Sequence, residues 1–328
     1  MNSFGKNFSV QIFGQSHGEY VGLIIDGCPP GINITQEDFK EDIERRKPGA
    51  KGTTPRKEDD IPEIISGVFN GKSSGAPMTI LFKNSNTRSG DYEKLRAVPR
   101  PGHADFVAHK KFNGFEDFRG GGHFSGRLTV ALVAAGVVAK KIIESFSPDK
   151  KIKVNATILE IGGEKDLEKG LQKAVDAKDS IGGIVECKVS HLPIGLGEPF
   201  FNSAESLISH AVFSIPAVKG IEFGAGFAAA KMFGIEHNDA IINADGTTAT
   251  NNAGGIVGGI TNGNELVFRI VVKPTSSTPK EQQTLNVETG NVAPFSVKGR
   301  HDLCIALRVP VVLESVTAMV LADLMMEE

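Results

Sequence analysis

Residues 119–146 read RGGGHFSGRLTVALVAAGVVAKKIIESF, and this stretch decides the fold. Three consecutive glycines (120–122) precede the longest apolar segment of the chain, which begins at Leu128. A helix that is apolar around most of its circumference has to be covered on more than one side. The stretch therefore predicts a central helix over about 128–146.

The segment that leads into this helix, residues 88–127, contains five arginines and three histidines. A glycine-rich loop in front of a helix presents unpaired backbone N–H groups and the positive end of the helix dipole. Both features favour a bound phosphate. We therefore expect an anionic ligand in this segment.

A second basic run, RRKPGAKGTTPRK at 45–57, has six basic residues and no acidic one. Taken alone, such a run is as typical of a solvated loop as of a binding site. Its first three residues also occupy the predicted last turn of a helix, where the dipole favours cations. Together with the glycine-rich stretch, the run indicates a pocket for a small polyanion.

The other apolar patterns predict short strands in neighbouring pairs, with helices between the pairs. This order disfavours a doubly wound parallel sheet and favours antiparallel sheets packed against buried helices. We predict an α+β fold, with residues 1–328 in a single domain because no linker or change of composition divides the chain. A lysine-rich connection is expected after the central helix. The predicted strands are 8–14, 21–27, 61–69, 77–82, 183–190, 221–231 and 265–273, and further helices are predicted from the capping pair Thr35 and Asp38, near 165–177, from Ser203 and from Pro310.

Composition and charge exclude several classes of protein. The formal net charge of -3 disfavours general nucleic-acid binding, which needs a basic surface. The sequence has no apolar run of about 18 residues and no signal-peptide pattern at its start, so we expect no membrane association and a cytoplasmic location. The three cysteines, Cys28, Cys187 and Cys304, are widely spaced and predict neither a disulfide framework nor a metal site.

The standard nucleotide-binding motifs are incomplete. A GxGxxG fingerprint that begins at Gly120 would need a glycine where Ser125 stands. The segment GVFNGKS at 67–73 is too short to form a Walker A loop. The zinc-hydrolase motif HExxH is absent, so the chemistry has to be sought in other residues.

Three loops carry a histidine next to a glycine or one residue away from it: GQSHG at 14–18, RPGHAD at 100–105 and KGRHD at 298–302. Glycine lets a ligand approach the backbone, and histidine exchanges a proton near neutral pH. A single such histidine is more often hydrogen-bonded within its own turn. Three of them, two beside arginine, favour a site for a phosphorylated and carboxylated substrate that loses or receives a proton.

In the order of its motifs the chain closely resembles the chorismate synthase family. The resemblance extends from FSVQIFGQSHG near the N-terminus to GRHDLC and VLADL near the C-terminus. Between them lie DGCPPGI, ERRKPG, SGVFNGKSSG, NTRSGDY, RPGHAD, FRGGG, GLGEP, AVKG, NNAGGIVGGI and KPTSS. So many specific motifs in one order leave little room for coincidence.

The resemblance implies a fold, a reaction and a cofactor. The family has a β-α-β sandwich, with helices between two antiparallel sheets, and usually assembles as a homotetramer. It converts 5-enolpyruvylshikimate 3-phosphate to chorismate by 1,4-anti elimination of phosphate and the C6 pro-R hydrogen. The reaction requires reduced FMN although it has no net redox change.

The resemblance also implies roles for individual residues. His17 would lie beside the flavin and protonate it, His103 would protonate the departing phosphate, and Asp302 would pass on the proton lost from C6. These roles suit the chemistry, because imidazole exchanges protons near neutral pH and the guanidinium fork matches carboxylate and phosphate. The implied substrate-binding residues are Ser16, Arg46, Arg100, Arg127 and Arg300. The implied cofactor-binding residues are His123, Phe124, Ser125, Ala217, Gly258, Lys273, Pro274, Thr275, Ser276, Ser277 and Arg300.

The chain departs from the family pattern in the glycine-rich loop. Where the family usually reads RGGGRSSARET, this sequence reads RGGGHFSGRLT. Phe124 could pack either on the flavin or on the core. An arginine that the family associates with nicotinamide nucleotides is absent after ERRKPG, and Lys51 is the nearest basic residue. We therefore expect an external flavin reductase, rather than NADPH oxidation by this chain, to supply reduced FMN.

Two other functions are compatible with parts of the pattern. A non-catalytic relative that binds a phosphorylated ligand could keep the pocket and lose the chemistry, and the altered glycine-rich loop allows for this. A flavin-dependent reductase would instead show net oxidation of a substrate. The joint presence of His17, His103 and Asp302 favours the elimination reaction.

Overall fold

The structure is a computed structural model that describes residues 2–49, 52–54, 58–85, 96–297 and 302–327. The strands are β1 Ser3–Phe4, β2 Ser9–Gly14, β3 Tyr20–Asp26, β4 Glu63–Ser66, β5 Val68–Phe69, β6 Lys72–Ser73, β7 Met78–Lys83, β8 Lys153–Ile161, β9 Gly183–Ser190, β10 Val218–Phe223, β11 Ile256–Val257, β12 Ile260–Thr261, β13 Leu266–Val272, β14 Gln282–Leu285 and β15 Val292–Phe295. The helices are α1 Lys40–Arg46, α2 Asp105–Lys111, α3 Thr129–Phe146, α4 Leu167–Ala177, α5 Ala204–Val212, α6 Gly234–His237 and α7 Pro310–Met325. Short 3₁₀ turns occur at Gln36–Phe39, Arg119–Phe124, Gly126–Leu128, Phe200–Asn202, Gly226–Lys231 and Ile305–Arg308.

Two antiparallel sheets form the outer layers of the fold. The first has five strands in the order β1-β2-β3-β7-β4, and the second has four in the order β10-β13-β9-β8. In the first sheet Leu23 of β3 is paired with Ile12 on one side and Ile80 on the other. Alternate side chains of β3 point inward, and Val21, Leu23 and Ile25 are fully buried. The period of two in the sequence of β3 thus produces one apolar face.

Two buried helices fill the space between the sheets. Helix α3 contacts the five-stranded sheet, α7 contacts the four-stranded sheet, and the two helices pack along each other. At Gly136 the approach is so close that an added methyl group would lie 2.3 Å from Cβ of Ser315. A side chain at this position would push the helices apart, because protein cores have no spare volume. The predicted α+β sandwich, with helices between two antiparallel sheets, is confirmed.

Helix α7 is the most enclosed part of this arrangement, with 15 of its 16 residues buried. Its carboxylates are satisfied by other elements. Glu314 accepts two hydrogen bonds of 2.7 Å from the guanidinium of Arg45 and one of 2.9 Å from the backbone N–H of Ala156. Asp323 accepts the backbone N–H of Phe8 at 2.8 Å.

Although α3 and α7 are apolar, no helix in the described part of the chain is long and apolar enough to cross a membrane.

Most helix and strand positions follow the sequence patterns. Helix α3 begins at Thr129, one residue after the predicted start. The capping pair is formed, since Asp38 accepts the backbone N–H of Thr35 at 2.7 Å. Helix α7 begins at Pro310, as predicted. Boundaries set by caps and by proline are therefore readable from the sequence.

Three sequence-based predictions were wrong. The strand predicted at 61–69 is divided at Gly67, whose φ is +82°, into β4 and β5, which belong to different sheets. The lysine-rich connection predicted after the central helix contains strand β8, which pairs with β9 at the edge of the second sheet. The strand predicted at 221–231 ends at Phe223. The next residue, Gly224, has a φ of +54°, which turns the chain out of the sheet and toward a 3₁₀ turn.

Candidate active site

A cleft of about 1660 Å³ borders the first turns of α3. Its wall combines the loop between β2 and β3, the end of α1, the segment before α2, the glycine-rich turn and the loop after β13. The predicted site residues that line it are His17, Arg46, Arg100, His103, His123, Phe124, Ser125, Arg127, Ala217, Lys273, Thr275, Ser276, Ser277 and Asp302. The fold thus brings most of the predicted residues together in one cavity.

The glycine-rich turn lies between two of the predicted histidines. Gly120 and Gly121 have φ angles of +61° and +82°, in the left-handed region. A methyl group on Gly120 would lie 2.3 Å from Cδ2 of His17, and one on Gly121 would lie 3.4 Å from Cε1 of His103. Only glycine permits both this backbone conformation and the approach to His17. The turn therefore holds both imidazoles in the wall of the cleft.

The residue before His17 is enclosed by the same turn. The backbone N–H of Ser16 donates to the carbonyl of Gly122 at 3.0 Å. The hydroxyl of Ser16 is fully buried and has no hydrogen-bond partner among the described residues. Ser16 is not among the residues that line the cleft. Its side chain therefore lies within the wall rather than in the cavity.

His103 lies beside a carboxylate whose acceptor positions are filled. Nδ1 of His103 is 2.6 Å from Oδ1 of Asp105. The guanidinium of Arg100 donates two hydrogen bonds to the same carboxylate, from Nε to Oδ2 at 2.7 Å and from Nη2 to Oδ1 at 2.8 Å. Burial alone would raise the pKa of Asp105, but the hydrogen bonds and charge of Arg100, with those of His103, hold that pKa well below its usual range. The guanidinium of Arg100, which was predicted to bind the substrate, is thus hydrogen-bonded to Asp105.

A second buried carboxylate, Asp60, joins two predicted substrate arginines. Its Oδ2 lies 2.5 Å from Nη2 of Arg46, and its Oδ1 accepts a short hydrogen bond from Nη1 of Arg127. Arg127 also donates through Nε to Oδ1 of Asn84 at 2.9 Å. Burial alone would raise the pKa of Asp60, but the charges of Arg46 and Arg127 lower it. Asp60 is therefore an anion shared by two cations.

The charge of Arg46 is compensated only in part. Burial, together with the like charges of Arg308 and Arg127, lowers the pKa of Arg46 to about 10 in spite of the neighbouring Asp60. Its Nε has no hydrogen-bond partner within the described ranges. A buried cation in this condition is stabilised by a further anion. This side of the cleft therefore suits a negatively charged ligand.

Within the GRHD motif at 299–302, the structure describes Asp302 but not Arg300. Oδ1 of Asp302 accepts the backbone N–H of Thr54 at 2.8 Å, and its Oδ2 lies 3.5 Å from Nη1 of Arg308. Arg308 also donates through Nε to the carbonyl of Arg46 at 3.1 Å. Arg308 thus links the segment of Asp302 to the end of α1.

The loop after β13 forms the predicted cofactor side of the cleft. Nζ of Lys273 and Oγ of Ser276 both donate to the carbonyl of Gly102, at 3.1 and 2.8 Å. Burial, with the nearby charge of Lys219, lowers the pKa of Lys273. Ala217 has a φ of +73° and accepts the backbone N–H of Lys273 at 2.9 Å. These contacts attach the loop to the RPGHAD segment.

The two unusual residues of the glycine-rich turn have different surroundings. Nδ1 of His123 lies 2.9 Å from the carbonyl oxygen of Gly14, and its Nε2 lies 3.1 Å from Oδ1 of Asn2. Both ring nitrogens of His123 therefore contact the N-terminal segment, at Asn2 and at the end of β2. Phe124 is 41% exposed in the wall of the cleft, with its ring centroid 6.3 Å from that of Phe112. Phe124 is thus not a core residue and offers an aromatic face to a ligand.

Two predicted cofactor residues, Gly258 and Pro274, are not among the residues that line the cleft. Gly258 occupies the turn between β11 and β12, with a φ of +65° and no atom within 4 Å of an added methyl group. Pro274 lies between the lining residues Lys273 and Thr275. The cavity of this chain alone therefore does not include them.

Three charged residues of the site were missed by the sequence analysis: Asp60, Asp105 and Arg308. Asp105 ends the RPGHAD motif, so its position two residues after His103 was a usable signal. Asp60 and Arg308 offered none, because their partners are distant in the chain. Asp60 and Arg127 are 67 residues apart, and Arg308 and Arg46 are 262 apart.

Comparison with known proteins gives a consistent result along the whole chain. A family model described as chorismate synthase matches residues 8–326. A chorismate synthase of Chitinophaga pinensis is 70% identical over 328 residues, which cover 100% of this chain and 97% of that protein. A chorismate synthase of Dehalococcoides mccartyi is 43% identical over 353 residues, covering 98% of this chain and 96% of the relative. A crystal structure of chorismate synthase has a similar fold, with a TM-score of 0.73 at 24% identity over 99% of this chain and 93% of that one.

Proposed function

Because this chain belongs to the chorismate synthase family, we propose that its cleft carries out the family's reaction with His17, His103 and Asp302 as proton-transfer residues. The reaction is the 1,4-anti elimination of phosphate from 5-enolpyruvylshikimate 3-phosphate to give chorismate. It is a carbon–oxygen lyase reaction of the shikimate pathway, which leads to the aromatic amino acids. The observation that carries the proposal is that His17 and His103 flank the triple-glycine turn in the wall of one arginine-lined cleft.

The substrate carries two carboxylates and a phosphate, which bind to the arginine-lined side of the cleft. Arg46 supports this assignment best, since its charge is compensated only in part. Arg100 already donates to Asp105, and Arg127 already donates to Asp60. These two arginines therefore offer the substrate their positive charge and their remaining N–H groups, but not a bidentate guanidinium. The proposed set is Arg46, Arg100, Arg127 and Arg300, together with Ser16, whose side chain lies in the wall behind the cavity.

His103 donates a proton to the phosphate while the C3–O bond breaks. Phosphate leaves more readily when its developing charge is neutralised, and imidazole does this near neutral pH. The C6–H bond breaks on the opposite face, its electron pair enters the new diene, and Asp302 helps to pass on the proton. Bond breaking and proton transfer therefore balance without any net oxidation.

The residues of the cleft fit reduced FMN. The ammonium of Lys273, whose pKa is lowered by burial, and the neighbouring hydroxyls suit a phosphate, while the exposed ring of Phe124 suits a flat aromatic ring. When bound, reduced FMN supplies electron density to the substrate as the phosphate leaves. His17 would hold a proton on the side of the cleft where the flavin binds. The proposed cofactor residues are His123, Phe124, Ser125, Ala217, Lys273, Thr275, Ser276, Ser277 and Arg300, together with Gly258 and Pro274, which do not line the cavity of this chain.

The test is anaerobic incubation of the purified protein with 5-enolpyruvylshikimate 3-phosphate and a catalytic amount of reduced FMN. We expect phosphate and chorismate to be released in equal amounts. If neither product forms at any enzyme concentration, the proposed function is wrong. Binding without turnover would instead indicate the non-catalytic relative, and net oxidation of the substrate a flavin-dependent reductase. No described residue favours either alternative, since His17, His103 and Asp302 line one cleft.

We further propose that reduced FMN comes from an external flavin reductase. The proposal depends on the arginine that is missing after ERRKPG; the nearest basic residue, Lys51, lies outside the described residues. The purified protein should therefore form no chorismate with NADPH and oxidised FMN until a reductase or dithionite is added. NADPH-driven turnover by the protein alone would contradict this proposal.

We propose a homotetramer as the working assembly. Five large apolar side chains between residues 200 and 235 are each more than three quarters exposed: Phe200, Phe201, Phe227, Phe233 and Ile235. So much exposed apolar surface is typical of a contact between chains. Light scattering after size-exclusion chromatography should give four times the chain mass, and Phe201→Asp should lower it.

We also propose that the protein is located in the cytoplasm and that the chain forms a single domain. The three cysteines are buried free thiols, as expected in a reducing compartment. One continuous apolar core includes Leu23 and Val185 from the two sheets and Val133 and Val316 from the two central helices. A single continuous core supports the assignment of the chain to one domain.

A further inference from the structure

We propose that Asp105 is a positioning residue for His103: it keeps a proton on Nδ1 and leaves Nε2 as the nitrogen that exchanges protons in the cleft. The proposal rests on the proposed function of His103 as the proton donor to phosphate. Asp105 has no role among those that the sequence predicts. The proposal also changes the role of Arg100, which then supports His103 through Asp105.

The distance between the ring and the carboxylate determines which nitrogen carries the proton. Nδ1 of His103 lies 2.6 Å from Oδ1 of Asp105. At this distance two lone pairs would repel each other, so a proton has to lie between the atoms, on Nδ1. A carboxylate that accepts Nδ1–H fixes both the tautomer and the orientation of an imidazole.

The nearby guanidinium does not compete for this nitrogen. Nη2 of Arg100 lies 3.1 Å from Nδ1 of His103, but it is also 2.8 Å from Oδ1 of Asp105. A guanidinium can only donate, so it makes no hydrogen bond with an Nδ1 that carries a proton. The N–H group of Nη2 is therefore directed to the carboxylate.

The carboxylate is itself held in place. The backbone N–H of Arg100 donates to Oδ2 of Asp105 at 3.1 Å, and Nε donates to the same oxygen at 2.7 Å. With Nη2 of Arg100 and Nδ1 of His103 on Oδ1, both oxygens have two donors each. The pKa of Asp105 lies well below its usual range, so the carboxylate is ionised and accepts hydrogen bonds near neutral pH.

The other ring nitrogen of His103 lies beside the glycine-rich turn. A methyl group on Gly121 would lie 3.5 Å from Nε2, an ordinary contact distance. The side chain of His103 is 20% exposed, and His103 lines the cleft. Because Nδ1 is directed to Asp105, proton exchange with a ligand in the cleft takes place at Nε2.

A second histidine–carboxylate pair provides an internal control, with His109 on α2 and Glu116 beyond its end. Nδ1 of His109 lies 3.1 Å from Oε1 of Glu116. This pair is longer, its histidine is 41% exposed, and neither residue lines the cleft. Glu116→Gln therefore removes a comparable carboxylate without touching His103.

The experiment measures the tautomer of His103 directly by two-dimensional ¹H–¹⁵N correlation through the imidazole ring, in the full-length protein labelled with ¹⁵N-histidine and without substrate. The signals of His103 are assigned by their loss in His103→Gln. At a pH where the ring is neutral, we expect Nδ1 to be protonated in the wild type. Asp105→Asn should shift His103 toward Nε2–H and lower kcat about 10²–10⁴-fold with unchanged FMN affinity. Glu116→Gln should change neither the His103 signals nor kcat.

An Nε2–H tautomer in the wild-type protein, or an unchanged tautomer in Asp105→Asn, would overturn the proposal. If Asp105→Asn does not fold, the tautomer of His103 in the wild-type protein still tests the proposal. Arg100→Lys should in addition shift His103 partly toward the Nε2–H tautomer, because lysine cannot donate to both oxygens of Asp105 as the guanidinium does. The tautomer is measured without turnover. A wild-type protein that has the Nδ1–H tautomer but makes no chorismate would contradict the proposed function and leave the geometry of the pair intact.

Discussion

Nη2 of Arg46 lies 2.5 Å from Oδ2 of Asp60, and both residues are buried. The other oxygen of Asp60 accepts a hydrogen bond from Arg127. One carboxylate therefore fixes two guanidiniums before any ligand binds. Preorganised charges of this kind need no rearrangement when an anionic substrate arrives.

Replacing Asp60 by Asn should lower the free energy of unfolding by about 3–5 kcal/mol, the range for a buried ion pair that loses one partner. The loss leaves Arg46 and Arg127 without their shared anion. Inorganic phosphate should then stabilise the variant more than it stabilises the wild type. Urea unfolding with and without phosphate measures both effects.

The control for this variant is Glu37→Gln, which removes one partner of an exposed ion pair with Lys40. Exposed pairs of this kind contribute little to stability, so its urea midpoint should stay close to that of the wild type. Equal midpoints for Asp60→Asn and the wild type would show that the buried pair does not hold the arginines.

Replacing Gly120 by Ala should lower kcat about 10²-fold, because a methyl group would collide with the ring of His17 and displace it. The positive φ of Gly120 adds backbone strain to this effect. Gly126, in the same loop, has no atom within 4 Å of an added methyl group and no positive φ. Gly126→Ala should therefore keep full activity in the chorismate assay, and equal losses in both variants would contradict the proposed contact.

Replacing His103 by Ala should lower turnover about 10²–10⁴-fold, the usual loss when a general acid is removed. Reduced FMN should still bind with nearly unchanged affinity, because His103 is proposed to act on the phosphate. Flavin fluorescence titration and stopped-flow turnover separate the two quantities. Intact turnover would remove His103 from the mechanism.

The stabilising contribution of Asp105 should depend on pH. Its folded-state pKa is depressed, so the contribution is complete above the ordinary aspartate pKa of about 4 and is lost as the pH falls below that value toward the folded-state pKa. The difference in unfolding free energy between the wild type and Asp105→Asn should therefore be largest near neutral pH and shrink below about pH 4. Urea unfolding at several pH values tests this, and a difference independent of pH would contradict it.

Strand β8 illustrates why part of the fold could not be predicted. Its sequence, KVNATILEI, has a lysine, an asparagine and a glutamate among its apolar residues. It lies at the edge of its sheet, with one partner strand, so only one face is regularly apolar. The two central helices were predictable because burial on all sides requires a continuous apolar sequence.

The sequence by itself determined the central helices, most of the strands, the triple-glycine turn and the histidines near it. Caps, proline positions, apolar periodicity and left-handed glycines act within a few residues, so they can be read locally. Only the tertiary structure decided which carboxylate meets which arginine. Asp60 reaches Arg46 and Arg127 across 14 and 67 residues, and the fork of Arg100 is directed to Asp105. Such pairings depend on how distant elements pack, because the charge of a side chain does not by itself specify its partner.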